Sequence, residues 1–305
     1  MKSLVVLLGP TGVGKTSMSI RLARELGCEI VNADSRQCFA QMRIGTAFPS
    51  GEELAAVPHH LLGHRRIDER YSCGQYELDA LATLERLFEG HDCAILCGGS
   101  MLYVDAVCQG MDDFPEPDIA LRQRLSERLS AEGLDALGAE LAVLDPIVWE
   151  RIDRRNGARV LRALEVCLQT GRPYSSWLGR QKRERPFGVI KVGISRDWGE
   201  LCDRINRRVD AMLEAGLEEE ARALWPHEGN PALRTVGYTE FFSYFAGRID
   251  RDEAVEKIRV NTRRYAKRQL RWWARDGAVR WFDADDYAGL AAYVTSRLAA
   301  LGHSA

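Results

Sequence analysis

The sequence predicts an α/β fold: a parallel sheet with helices on both faces, plus an inserted all-helical domain. Three observations point to it. Short apolar runs at 3–8, 29–33, 93–97 and 189–194 are separated by helical periodicity, which is the alternation of a parallel sheet. The first run passes directly into a glycine-rich loop that opens a helix. From Ala120 to about Gln169 the periodicity is helical throughout, with no strand-like run.

Residues 3–8 read as a buried strand and 15–26 as a helix with an apolar face at Ile20, Leu22, Ala23 and Leu26. A second short strand ends at Asp34, and His59-His60 fall in a loop after Pro58. An amphipathic helix covers Leu78–Phe88. The strand Cys93–Cys97 is closed by Gly98-Gly99, and a helix runs from near Met101 to Cys108. The texture changes at Asp112-Asp113-Phe114-Pro115-Glu116-Pro117, so residues 114–187 are expected to form the helical insertion. Residues 1–113 and 188–305 then make the core with its basic C-terminal helices. Within that second part a strand is expected at Val189–Ile194 and one helical stretch from Glu200 to Leu224. Helices near 238–247 and 251–275 and a strand-like Val279–Phe282 follow.

Composition excludes some classes. The net charge is −2, so attraction to nucleic acid must come from local clustering. No run of eighteen apolar residues suggests a membrane span. The apolar opening lacks a small-residue cleavage site and reads as a first strand rather than a leader. None of the eight cysteines forms a C-x-x-C pair, which fits reduced, buried thiols in a cytoplasmic protein. The histidines show no metal-ligand spacing.

The loop Gly9-Pro10-Thr11-Gly12-Val13-Gly14-Lys15-Thr16 matches G-x-x-x-x-G-K-[ST], so the fold is P-loop NTPase-like. The motif is common to nucleotide-binding, ATP-binding proteins. Its glycines let backbone N–H groups converge on phosphate oxygens, Lys15 adds a point charge, and the Thr16 hydroxyl suits Mg²⁺. ATPases and kinases commonly carry an acid after a later apolar strand to hold the metal. Here Ala94–Cys97 is followed by Gly98-Gly99-Ser100. A kinase and a non-catalytic RNA-binding protein both stay open at this point.

Asp34 follows the second strand, and the carboxyl ends of parallel strands share one rim with the P-loop. Asp34 could cap a turn, or it could hold a metal or remove a proton beside the phosphates. From Lys257 to Arg275 eight basic residues occur with no acid, and Arg264, Lys267 or Arg268, Arg271 and Arg275 recur at helical spacing. Such a stripe is expected to meet a polyanion.

These motifs, with ADSRQCF, MRIGTAFP, VPHH, YSCGQY, CGGSMLY, RVLRALEV, DRINRRVDAMLEAGLEEE, TVGYTE and NTRRYAKRQLRWW, resemble the tRNA dimethylallyltransferase family over nearly the whole chain. The resemblance implies transfer of a five-carbon group from dimethylallyl diphosphate to N6 of adenosine 37, beside the anticodon of tRNA. By that resemblance Asp34 is the general base, Ser100 positions the amine, and Lys15 and Arg208 hold the diphosphate with Mg²⁺. It also implies tRNA contacts at Asp34, Ser35, Arg36, Gln37, Ser100, Arg122 and the run Ala158, Arg159, Val160, Leu161, Arg162. Arg264, Lys267 and Arg268 of the stripe join them, and the helical insertion meets the anticodon stem-loop. A cytoplasmic monomer is the expected state. Ser100 and Phe39 stand where most members have Thr and Tyr, Gly12-Val13 replaces Ala-Ser, and Gly157 replaces a polar or acidic residue.

Overall fold

The computed structural model describes residues 1–179 and 183–302. The charged segment at 180–186 therefore lies partly outside the described residues. The chain runs β1 (Ser3–Leu8), α1 (Lys15–Leu26), β2 (Ile30–Asn32), α2 (Gly51–Ala56), β3 (His59–His60), α3 (Cys73–Gly90), β4 (Cys93–Cys97) and α4 (Met101–Gln109). Then come α5 (Ile119–Glu132), α6 (Leu134–Leu144), α7 (Pro146–Arg151) and α8 (Gly157–Thr170). It continues through β5 (Gly188–Ser195), α9 (Trp198–Glu214), α10 (Leu217–Leu224), α11 (Tyr238–Phe245), α12 (Arg251–Trp273), β6 (Arg280–Asp283) and α13 (Tyr287–Ala300). Two compact units result, Met1–Gln109 with Glu184–Ala305, and Gly110–Arg183.

In the first unit six parallel strands lie in the order β3-β2-β4-β1-β5-β6. β1 is central, and its side chains alternate between faces. Val5 and Leu7 pack with α1, α9 and α13, while Leu4, Val6 and Leu8 pack with α3 and α4. Burial on both faces is why β1 reads as an unbroken apolar run. A third cluster joins Phe39 and Met42 to α9, α10, α11 and α12 through Val209, Leu217, Phe241 and Ile258. In the register, Leu7 is level with Cys97, and Cys97 with Asn32. The loops after β1, β2 and β4 therefore leave the sheet at one rim.

The second unit packs α5, α6, α7 and α8 around Leu125, Leu137, Leu141, Val148, Val160 and Leu164.

Several elements differ from the periodicity. The helix expected over 200–224 is two helices, because Gly216 takes φ +98° between them, a conformation that ends one helix and leaves the chain free to turn. His59-His60 form a short edge strand on β2 rather than a loop. The helix at 78–88 begins earlier, at Cys73, where the Ser72 hydroxyl accepts the Gln75 N–H as an N-cap. α2 and α13 were not expected. α13 buries Leu290, Val294 and Leu298, four residues apart, against the sheet. All eight cysteines are free. No helix among the described residues is long and apolar enough to cross a membrane.

Candidate active site

β1 delivers the glycine loop at the rim. Gly9, Gly12 and Gly14 adopt φ of +153°, +84° and +109°, which side-chain-bearing residues rarely adopt. At Gly9 a Cβ would also stand 2.8 Å from the Ile194 carbonyl oxygen. α1 starts at Lys15 with Gly14 as a cap that offers no side chain. Its first N–H groups and the positive end of its dipole are thus left for an anion. Lys15 Nζ donates to the carbonyls of Gly9 at 2.8 Å and Pro10 at 2.9 Å. A cavity of about 450 Å³ opens above the loop, lined by Lys15, Thr16, Asp34, Cys97, Arg204, Arg207 and Arg208.

Burial holds the Lys15 ammonium down to about 8, partly offset by Cys97 and Asp34 and reinforced by Arg208. The sign is direct. Below about pH 8 Lys15 is charged and attracts an anion, and above it the charge is lost. The affinity for inorganic diphosphate is expected to fall about tenfold per pH unit above that point through this group alone. Titration calorimetry across that range checks it against Lys15→Arg, whose charge does not titrate. Parallel curves for the two proteins would remove Lys15 from the cause.

The acid has two tasks. Asp34 Oδ1 accepts the N–H groups of Arg36 at 2.8 Å and Gln37 at 3.4 Å, so it does cap the turn after β2. Its other oxygen, Oδ2, faces Gly99, 3.8 Å from where a Cβ would sit. Asn32 fixes the same turn, accepting the Asp34 N–H at 3.1 Å and donating to the Asp34 carbonyl at 3.2 Å. The Ser100 hydroxyl accepts the Ser35 N–H at 2.7 Å and donates to Ser35 Oγ at 3.0 Å. Ser100 thereby holds the loop that carries the acid. Gln37 uses its amide on the carbonyls of Thr46 and Ala47.

A second cavity, also about 450 Å³, is more apolar. Met101, Leu102, Tyr103, Ile205, Val209, Met212, Ile258 and Tyr265 line it, with Arg36, Ser35 and Ser100 at its polar side. Thr11, Asp34, Thr46 and Arg208 line both cavities. Arg208 reaches the Thr46 carbonyl at only 3.5 Å. Burial lowers the proton affinity of its guanidinium and the Asp34 charge raises it. The acid and this arginine therefore stand where a phosphate-type chamber and an apolar chamber meet.

The expected basic stripe needs correction at its start. Lys257 pairs with Glu253 at 2.7 Å, Arg259 with Asp210 at 2.5 Å, and Arg263 with Glu256 at 3.2 Å. Acids one or two turns earlier, or on α9, neutralise these three. Arg264, Lys267, Arg268, Arg271 and Arg275 are exposed, and no ion pair holds them among the described residues. Lys267 lies over the Trp198 ring and Arg268 over the Tyr265 ring.

In the helical unit, Arg122 and Arg162 both pair with the buried Glu165, at 2.8 and 3.2 Å. Val160, expected at the RNA surface, is fully buried in that unit's core, and the partly buried Leu161 packs against it. Helical geometry turns successive residues by 100°, so a run of five cannot all face outward. Ala158 and Arg159 are the exposed members.

Some residues at the site went unread in the sequence. Arg204 donates to the Gly12 carbonyl at 3.0 Å, although only Arg208 of its motif drew attention. Gln269 lies among basic residues, yet it shares a buried stripe of α12 with Ala266 and Trp273. That i, i+3, i+7 spacing was the available signal.

A family model described as IPP transferase matches residues 37–276. The tRNA dimethylallyltransferase 2 of Porphyromonas gingivalis is 50% identical over 280 residues, covering 92% of this chain and 93% of that protein. The tRNA dimethylallyltransferase 1 of Bacteroides fragilis is 46% identical over 297 residues, covering 97% and 99%. The full-length tRNA isopentenylpyrophosphate transferase of Bacillus halodurans superposes with a TM-score of 0.73 at 32% identity, covering 98% of this chain and 97% of that one. A eukaryotic dimethylallyltransferase acting on tRNA gives a TM-score of 0.81 at 25% identity, covering 97% and 77%.

Proposed function

This chain belongs to the IPP transferase family, and from that premise we propose that its cradle grips dimethylallyl diphosphate while Asp34 deprotonates N6 of adenosine 37. The chain is a prenyltransferase that modifies tRNA. The observation that carries the mechanistic reading is the shared wall, where Asp34 and Arg208 line both the phosphate chamber and the apolar chamber.

The exocyclic amine of adenine is a poor nucleophile because its lone pair is delocalised into the ring. As the N6–C1 bond forms, the C1–O bond to diphosphate breaks and the amine proton passes to Asp34. The negative charge on the departing group is met by the loop N–H groups, Lys15 and Arg208, fixed in advance of the reaction. Gly9, Pro10, Thr11, Gly12, Val13 and Gly14 shape that cradle. Ser100 keeps the Asp34 loop in place, and Arg36 and Ser35 face the incoming base from the apolar chamber.

Mg²⁺ fits here only as an ion carried in by the diphosphate. No group of three or more His, Cys, Asp or Glu able to cage a metal exists among the described residues. The Thr16 hydroxyl lines the cavity, as does Asp34, and so small a protein contribution suits an ion bound mainly by phosphates and water. When bound it would add positive charge beside the leaving group.

Extruding the adenine from its stack costs a few kcal/mol, which phosphate contacts from Arg264, Lys267 and Arg268 would offset. In this reading Arg122, Arg159 and Arg162 of the helical unit meet the anticodon stem-loop. The protein works as a monomer in the cytoplasm, where its tRNA substrate is. Incubation with unmodified tRNA, Mg²⁺ and labelled dimethylallyl diphosphate is expected to put label on adenosine 37 and release diphosphate. Label on another nucleotide, or none, would overturn the reading.

A further inference from the structure

We propose that Gln269 is a positioning residue for the transfer, fixing the spacing between the diphosphate cradle and the loop that faces the acceptor base. The inference rests on the functional reading above. Gln269 is 1% exposed, and both ends of its amide are engaged by loop backbone. Its Oε1 accepts the Thr11 N–H at 2.8 Å, and its Nε2 donates to the Gly99 carbonyl at 2.7 Å. Thr11 belongs to the cradle. Gly99 precedes Ser100, whose hydroxyl holds Ser35 beside Asp34. One planar amide thus joins the two sides of the reaction.

The fit leaves little slack. A Cβ on Gly99 would lie 2.5 Å from Gln269 Nε2, so the loop approaches α12 as closely as a glycine allows. One turn earlier, the Tyr265 hydroxyl donates to the same Gly99 oxygen at 3.2 Å. The other buried positions of α12, Ala254, Val255, Ile258, Ala266 and Trp273, are non-polar or aromatic. An apolar side chain at 269 could fill the same volume, whereas only an amide offers both an acceptor to Thr11 and a donor to Gly99. The same helix exposes Arg264, Arg268 and Arg271, so the element that meets RNA phosphate also holds both reacting loops.

Misplacing reacting groups by about 1 Å can cost about 10²-fold in rate. Gln269→Met, close in volume and lacking both hydrogen bonds, is expected to lower kcat about 10- to 100-fold. Its tRNA affinity and the KM for tRNA should stay within about threefold of the parent. Gln269→Asn keeps the amide but is one methylene too short to span Thr11 and Gly99 together, and is expected to lower kcat less, with the affinity for inorganic diphosphate unchanged. It decides the matter if Gln269→Met does not fold.

The measurements are single-turnover transfer at saturating substrates, diphosphate and tRNA affinities, and the melting temperature of each protein. A lowered melting temperature with parental kcat in the folded fraction would assign Gln269 to packing alone and overturn the inference. Parental kcat in Gln269→Asn would do the same where the Met variant is unfolded. A parent protein that prenylates no tRNA overturns the functional reading instead, so the two failures are distinguishable.

Discussion

Asp34→Asn is expected to lower prenyl transfer by on the order of 10²–10⁴-fold while leaving the fold and tRNA affinity close to those of the parent. The geometry makes Asn the informative replacement. Asp34 Oδ1 accepts two backbone N–H groups, from Arg36 and Gln37, and an Asn carbonyl oxygen can accept both. The turn survives, and the atom that takes the proton does not. Asp34→Ala removes the base and the turn cap together, so it should also cost about 0.5–2 kcal/mol of stability, the scale of a lost cap. Asp34 lines the phosphate chamber, so at a pH well below 8, where Lys15 keeps its proton, its neutralisation removes a negative charge that faces the anion. Diphosphate should therefore bind no more weakly to the Asn variant. Single-turnover transfer and diphosphate calorimetry on both variants test this, and near-parental turnover in Asp34→Asn would take the acid out of the chemistry.

Gly98→Ala should produce the largest loss of stability. A Cβ there would stand 2.2 Å from both the carbonyl carbon and the carbonyl oxygen of Ala33. These are backbone atoms in the middle of the rim, and no rotamer change relieves the clash. Either β2 or the turn after β4 must move, at a cost of about 3 kcal/mol. The Ala33 amide donates to the Cys97 carbonyl at 2.8 Å and the Ala33 carbonyl accepts the Ser100 N–H at 3.0 Å. The displacement would reach Asp34 through its neighbour, and activity should fall with stability. The control is Gly90→Ala at the end of α3, where an added carbon meets nothing within 4 Å. There the expected effect is neutral to slightly stabilising. Urea midpoints of the three proteins check this, and equal midpoints for Gly98→Ala and the parent would show that the two loops are not so close.

Much of this site was legible in the chain because its chemistry is locally encoded. A glycine pattern between an apolar strand and a helix can hold phosphate wherever it occurs, since the loop's own N–H groups point inward. Parallel strands put their carboxyl ends on one rim, so an acid two residues after β2 had to share that rim with the cradle. Short apolar runs placed every strand of the sheet but β3, and the 3.6-residue period placed most of the helices. Other features depend on residues far apart in the chain, about which periodicity is silent. Arg259 is neutralised by Asp210, forty-nine residues away, so a segment without acids is only partly an unpaired cation stripe. Val160 turns inward because α5 and α6 lie against α8. Gln269 binds Thr11 and Gly99, 258 and 170 residues away. A string of residues states which groups can donate, accept or carry charge; which of them meet is set by packing, where burial makes an unmet polar group costly and so selects one partner for each.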